Sequence, residues 1–120
     1  MENDSIRTID AISVNPVTGN VELALIDDRP WDDYQDHMLW LMNKLNAYIG
    51  YIRSGQVNTE PAYAGRPAKF IVHFNGAPPR EARLSLCRMR DHLAGLGIPL
   101  AATDSGNIKE EVELDTWANS

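Results

Sequence analysis

Residues 9–27 read "IDAISVNPVTGNVELALID", and the reading of this stretch decides the fold. Residues 8–14 and 21–27 are rich in β-branched and aliphatic side chains, and "NPVTGN" separates them. Pro16 pre-sets φ for the first corner of a turn, and Gly19 supplies the left-handed residue that a bulged loop requires. The pattern predicts a β-hairpin. In its second strand Val21, Leu23 and Leu25 share one face, with Glu22, Ala24 and Ile26 on the other.

Beyond the hairpin the period changes from 2 to 3.6. Over residues 32–53, Tyr34, Met38, Leu41, Leu45, Ile49 and Ile52 fall in one stripe, which predicts a long helix of about 33 Å at 1.5 Å rise. Pro30 precedes it and "SGQ" at residues 54–56 ends it. A polar loop over residues 54–67 leads to "AKFIVHF" (68–74), a strand with Phe70, Val72 and Phe74 on one face. "NGAPP" breaks that strand, and its prolines suit the opening of a second helix over residues 80–94, which aligns Ala82, Leu86, Met89 and Leu93. "GLG" ends this helix, and residues 98–102 form a short last strand. The predicted class is α+β, in the order β-β-α-β-α-β, with a mixed sheet of about four strands. Right-handed crossovers place both helices on one sheet face.

The chain has 120 residues, 43% hydrophobic and 23% charged. That length suits one domain with a core that needs no cross-links. Residues 1–103 form the expected domain and residues 104–120 an acidic tail. Cys87 is the only cysteine, which excludes an intramolecular disulfide and a cysteine-based zinc site. No apolar run approaches the ~20 residues needed to cross a bilayer, and "MENDSIRT" is unlike a secretory signal. A cytoplasmic protein that binds no membrane is expected.

The net charge of −6 argues against nucleic acid as a partner. Its distribution is uneven: residues 1–36 carry nine acids and two bases, a net of −7. Residues 37–103 carry eight bases and three acids, a net of +5, and residues 104–120 a net of −4. Such a dipolar surface steers a charged partner or pairs with a second copy. An acidic tail with anchors at Ile108, Val112, Leu114 and Trp117 suits docking on the basic middle third.

The conspicuous cluster is "DDRPWDDYQD" (residues 27–36). Its spacing fails the calcium-loop pattern, which needs a glycine at the turning position. Acids in a first helical turn complement the dipole, and Asp32 is the expected cap. His37, His73 and His92 lie on separate elements without ligand spacing, although Asp33 sits one turn before His37. No serine, cysteine or lysine forms a nucleophile pattern with a histidine and an acid. Cys87 reads as a half-buried structural thiol. Arg80, Arg83, Arg88 and Arg90 form a basic helix face whose convergence the sequence does not reveal. No catalytic, cofactor or metal residue is predicted.

The first helix has an apolar arc about twice as wide as a one-sided helix requires. Beside the stripe runs a second row of His37, Trp40, Lys44, Tyr48 and Tyr51. The tail or the loop at 54–67 can cover it; otherwise it is a contact surface, since tryptophan and tyrosine concentrate at interfaces.

The segments "IDAISVNPVTGNVELALID" and "HMLWLMNKLNAYIGYIRSGQ", with "GI" before the last strand, resemble a bacterial family of small proteins classed as a domain of unknown function. Its pattern, W…H…LLxxKLNxYxxFIxSGQ, is matched by Trp31, His37, Leu41, Lys44, Leu45, Asn46, Tyr48, Ile52, Ser54, Gly55 and Gln56 over residues 8–102. Trp40 departs from the aliphatic residue expected there. The resemblance implies a fold and no activity. By analogy with small acidic domains that neutralise basic enzymes through carboxylates and aromatics on a helix edge, the expected function is a non-enzymatic protein–protein contact, immunity- or antitoxin-like, with a basic toxin or enzyme as partner. Asp28, Asp32, Asp36, His37, Trp40, Lys44 and Tyr51 are the expected contact residues. The alternative is a homodimer binding a small molecule or peptide.

Overall fold

A computed structural model describes residues 9–104 and 110–119. The strands are β1 (Ala11–Val14), β2 (Val21–Asp27), β3 (Ala68–Phe74) and β4 (Leu100–Thr103). The helices are α1 (Tyr34–Arg53), α2 (Arg80–Gly95) and α3 (Leu114–Ala118), with a 3₁₀ turn at Gln56–Thr59. The strands stand in sequence order; β1 pairs antiparallel with β2, while β2–β3 and β3–β4 are parallel. Parallel neighbours need a crossover, and α1 and α2 supply the two.

The hairpin turns as its residues require. The Asn15 carboxamide oxygen accepts from the amides of Val17 and Thr18, and Gly19 takes φ +77. Strand β1 begins at Ala11 rather than near residue 8, and Thr8 lies outside the described residues. The Asp10 side chain turns inward to the amide of Ile26, so Asp10 anchors the strand instead of continuing its ladder.

One sheet face is buried under both helices. Val21, Leu23, Leu25, Phe70, Val72 and Leu100 meet Leu41, Leu45 and Tyr48 of α1 and Leu86, Met89 and Leu93 of α2 in one core. Apolar burial at roughly 25 cal/mol per Å² is the main force holding the layers together. At the close of α2, Gly97 takes φ +78, and the amides of Gly97 and Ile98 cap the carbonyls of Ala94 and Leu93.

Two expectations are corrected at α1. The helix begins at Tyr34, and its cap is Asp33, not Asp32; the Asp33 carboxylate accepts from the Asp36 amide at 3.1 Å. Asp33→Ala is therefore expected to cost about 0.5–2 kcal/mol in urea denaturation, and Asp32→Ala less than about 0.5 kcal/mol. Equal costs would refute the assignment. The buried face also lies further round than the stripe: His37, Leu41, Lys44, Leu45 and Tyr48 are buried, while Tyr34, Met38, Ile49 and Ile52 are half-buried.

The tail adds a helix that the periodicity does not predict. The Glu113 carboxylate caps it through the Thr116 amide, a bond that also holds the Glu113 carboxyl below its ordinary range. The Val112 amide donates to the Ala102 carbonyl, and Leu114, Trp117 and Ala118 are buried. The tail acids Glu111 and Asp115 pair with Lys69 and Arg90 of the basic middle third. Ile108 lies outside the described residues.

Candidate functional site

The acidic stretch separates into a buried half and an exposed half. Asp27 ends β2 on the face that Val21, Leu23 and Leu25 occupy, and it is only 3% exposed. A carboxylate there needs partners. It finds the amide of Arg29 at 3.2 Å on Oδ1 and the ring of His37 at 2.6 Å on Oδ2. The other ring nitrogen of His37, Nδ1, lies 3.0 Å from the Pro30 carbonyl oxygen. A carbonyl only accepts, so Nδ1 carries the proton and Nε2 faces the carboxyl. Burial, the largest influence, pushes the Asp27 carboxyl up, and the hydrogen bond to His37 opposes it.

Trp31 closes this pair from outside, stacked on His37 with ring centroids 3.5 Å apart and planes 10° from parallel. An aromatic row continues inward from Trp31 to Phe74 and on to Trp117. On the other side Trp40 meets the His37 ring edge-on, and the Arg29 guanidinium lies 4.1 Å above Trp40. The loop from β2 to α1 is thereby pinned at Asp27, Arg29, Pro30 and Trp31. Asp28, Asp32, Asp33 and Asp36 remain exposed around it. Asp32, Asp33 and Asp36 rim a recess of about 210 Å³, with His37 in its wall.

The second polar cluster lies further along α1. Lys44 is 5% exposed and reaches the Asp10 carboxylate at 2.7 Å. The Tyr48 hydroxyl donates to the Ala24 carbonyl and accepts from the Asp10 amide, and burial pushes its pKa up to about 12. These contacts tie α1 to the start of the hairpin. Arg29 thus lies over Trp40, Asp10 meets Lys44, and Asp10 and Ala24 meet Tyr48. The hairpin and the β2–α1 loop cover the wide arc of α1, a role for which the sequence offers the tail or residues 54–67.

The expected contact residues fall into two groups. Asp28, just past the end of β2, and Asp32 and Asp36, at the N-terminal end of α1, are all exposed, while His37 and Lys44 are buried and engaged within the chain. Trp40 is half-buried beneath Arg29, and its indole nitrogen is buried without a hydrogen-bond partner among the described residues. Tyr51 is half-buried and lines a shallow recess with Ala47 and Gly50, away from the aspartates. Asp33, which joins the edge, and Asp27, which fixes it, are residues the contact set omits. His37 pairs with Asp27 rather than with Asp33, whose side chain is used as the cap.

Two further reactive side chains, His73 and Cys87, are engaged within the chain. The His73 Nδ1 meets the Thr103 hydroxyl at 2.9 Å, and burial pulls the imidazole pKa down. The half-buried Cys87 thiol donates to the Leu114 carbonyl, and burial pushes its pKa up, away from thiolate chemistry. Of the α2 arginines, Arg83 turns to the Pro78 carbonyl, Arg90 to Asp91 and Asp115, and Arg88 to a groove that His92 also lines, so these three do not converge on one point. Among the described residues no group of three or more histidine, cysteine or acidic side chains is placed to hold a metal ion. None of the described helices is long and apolar enough to cross a membrane.

Fold and site together define a two-layer α+β protein whose polar cluster fastens a loop and leaves an acidic edge outside. The chain belongs to the family described as "Family of unknown function (DUF6572)", whose pattern matches residues 1–105. No curated protein and no solved structure matches it.

Proposed function

We propose that the chain is a non-enzymatic binding protein, bacterial and cytoplasmic, that engages a basic protein partner through Asp28, Asp32, Asp33 and Asp36. An immunity- or antitoxin-like role against a basic toxin or enzyme is the sharper form of this reading, by physical analogy. The observation that carries it is the pinned loop: four exposed carboxylates sit on backbone held by the buried Asp27–His37 pair and the Trp31 stack. A preorganised acidic edge loses little freedom on binding and steers a basic surface towards it. The commitment of both His37 ring nitrogens within the chain supports a holding role over an acid–base one. We also read the helix pattern from Trp31 to Gln56 as the family's own signature.

The test is capture from native lysate at low and high salt, with wild-type chain and with Asp28→Asn/Asp36→Asn as baits. A basic protein should be retained at low salt by wild type only, and its association with the double variant should be about tenfold slower. Folding of the variant should hardly change. Identical capture by both baits, or capture indifferent to salt, would remove the acidic edge from the function.

A further inference from the structure

Three of the four methionines, Met38, Met42 and Met89, line a single groove between α1 and α2. Its volume is about 580 Å³, inside the ~300–1,000 Å³ range of small-ligand sites. Methionine is flexible and polarisable, so such a wall adapts to an apolar body instead of fixing one shape. Met42 stands 36% exposed at the opening, and Leu39, on the same helix, is 61% exposed. Among the described residues no acidic side chain lines this groove. The charged or basic groups in its wall are Arg88 and His92, both from α2 and both exposed. The α1 side offers Tyr34, Met38, Met42 and Asn46, with no acid or base among them.

We propose that this groove binds an amphiphilic organic anion, a single apolar chain or ring system with one carboxylate-like head. The methionines take the apolar body, and the Arg88 guanidinium takes the head, with His92 beside it. Charge on one lip only fits one head group. An acidic helix laid along the groove would leave its α1 side without a counter-charge. Arg88 has the planar donor fork that suits a carboxylate. The site is separate from the acidic edge, and the proposal does not depend on the reading of that edge.

Dodecanoate, below its micellar concentration, is the probe, titrated calorimetrically into the full chain against dodecyltrimethylammonium. Saturable binding of one dodecanoate per chain is expected, at least tenfold tighter than the cation of the same length. Arg88→Gln should weaken dodecanoate about tenfold, and Met42→Asp should abolish its binding. Both positions are on the surface, so unchanged thermal midpoints are expected for both variants. The proposal is overturned if dodecanoate shows no saturable binding, if the two head groups bind alike, or if neither substitution changes affinity. It is overturned equally if light scattering reports a dimer that Met42→Asp dissolves, because the groove would then belong to a second copy.

Discussion

Replacing His37 with alanine is expected to destabilise the chain by about 3–5 kcal/mol, the usual cost of leaving a buried charge-bearing group without its partner. That is a large part of the roughly 5–15 kcal/mol that holds a typical domain folded. Asp27→Ala should cost a similar amount, since it leaves the His37 Nε2 buried and unpaired. Asp27→Asn should cost no more than about 1 kcal/mol. Its carboxamide oxygen still accepts from the Arg29 amide, and its nitrogen donates to the lone pair of Nε2, with the Nδ1 proton still on Pro30. The asparagine variant separates geometry from titration. Burial raises the Asp27 carboxyl above its ordinary value of 3.8. At Asp27 itself, in the window above that value, the folded carboxyl holds a proton that the unfolded carboxyl has released. The stabilisation is therefore complete below the ordinary value and lost as pH rises through the raised one. Urea midpoints followed by tryptophan fluorescence across this range should fall more steeply with pH for wild type than for Asp27→Asn. Parallel pH profiles would show that the Asp27 carboxyl contributes nothing to the pH dependence of stability.

Most of the fold is legible in the sequence because its elements announce themselves by period. The alternation in residues 21–27 and 68–74 sets the core face of β2 and β3, and both strands occupy those residues. The buried pairs are harder to read, although a signal exists. The alternation that buries Val21, Leu23 and Leu25 continues to Asp27, so the same rule predicts a buried carboxylate at the strand end. Five aspartates in ten residues mask it, because a helix start explains acids without requiring any to be buried. Similarly, the over-wide arc of α1 registers that His37, Lys44 and Tyr48 are covered. Their partners, Asp27, Asp10 and Ala24, lie ten to thirty-four residues earlier. Periodicity carries no information about which distant residue answers a buried polar group. The α3 helix is hidden for a different reason: five residues are too few to establish a 3.6-residue period, and isolated helices of that length do not persist without packing.

That packing leads to the second large effect. Trp117→Ala is expected to cost about 3–5 kcal/mol, as truncation of a buried tryptophan generally does. Trp117 is 8% exposed, its ring centroid lies 6.0 Å from that of Phe74, and its indole nitrogen donates to Asp104 at 2.6 Å. Trp117→Phe retains most of the apolar contact and loses the hydrogen bond, so about 1 kcal/mol is expected. The ion pairs of the tail are a different matter. Lys69–Glu111 and Arg90–Asp115 are partly open to solvent, and each contributes at most about 1 kcal/mol, less in salt. Glu111→Gln and Asp115→Asn should therefore shift the urea midpoint little, and raising the salt should not release the tail. If Trp117→Ala costs less than about 0.5 kcal/mol, α3 lies outside the cooperative unit. If salt or the two charge substitutions match the effect of Trp117→Ala, electrostatics hold the tail in place. With the expected ranking, the charge blocks orient the tail towards the basic middle third. Burial of Leu114, Trp117 and Ala118 keeps it there, which makes residues beyond the family's matched region part of the folded core.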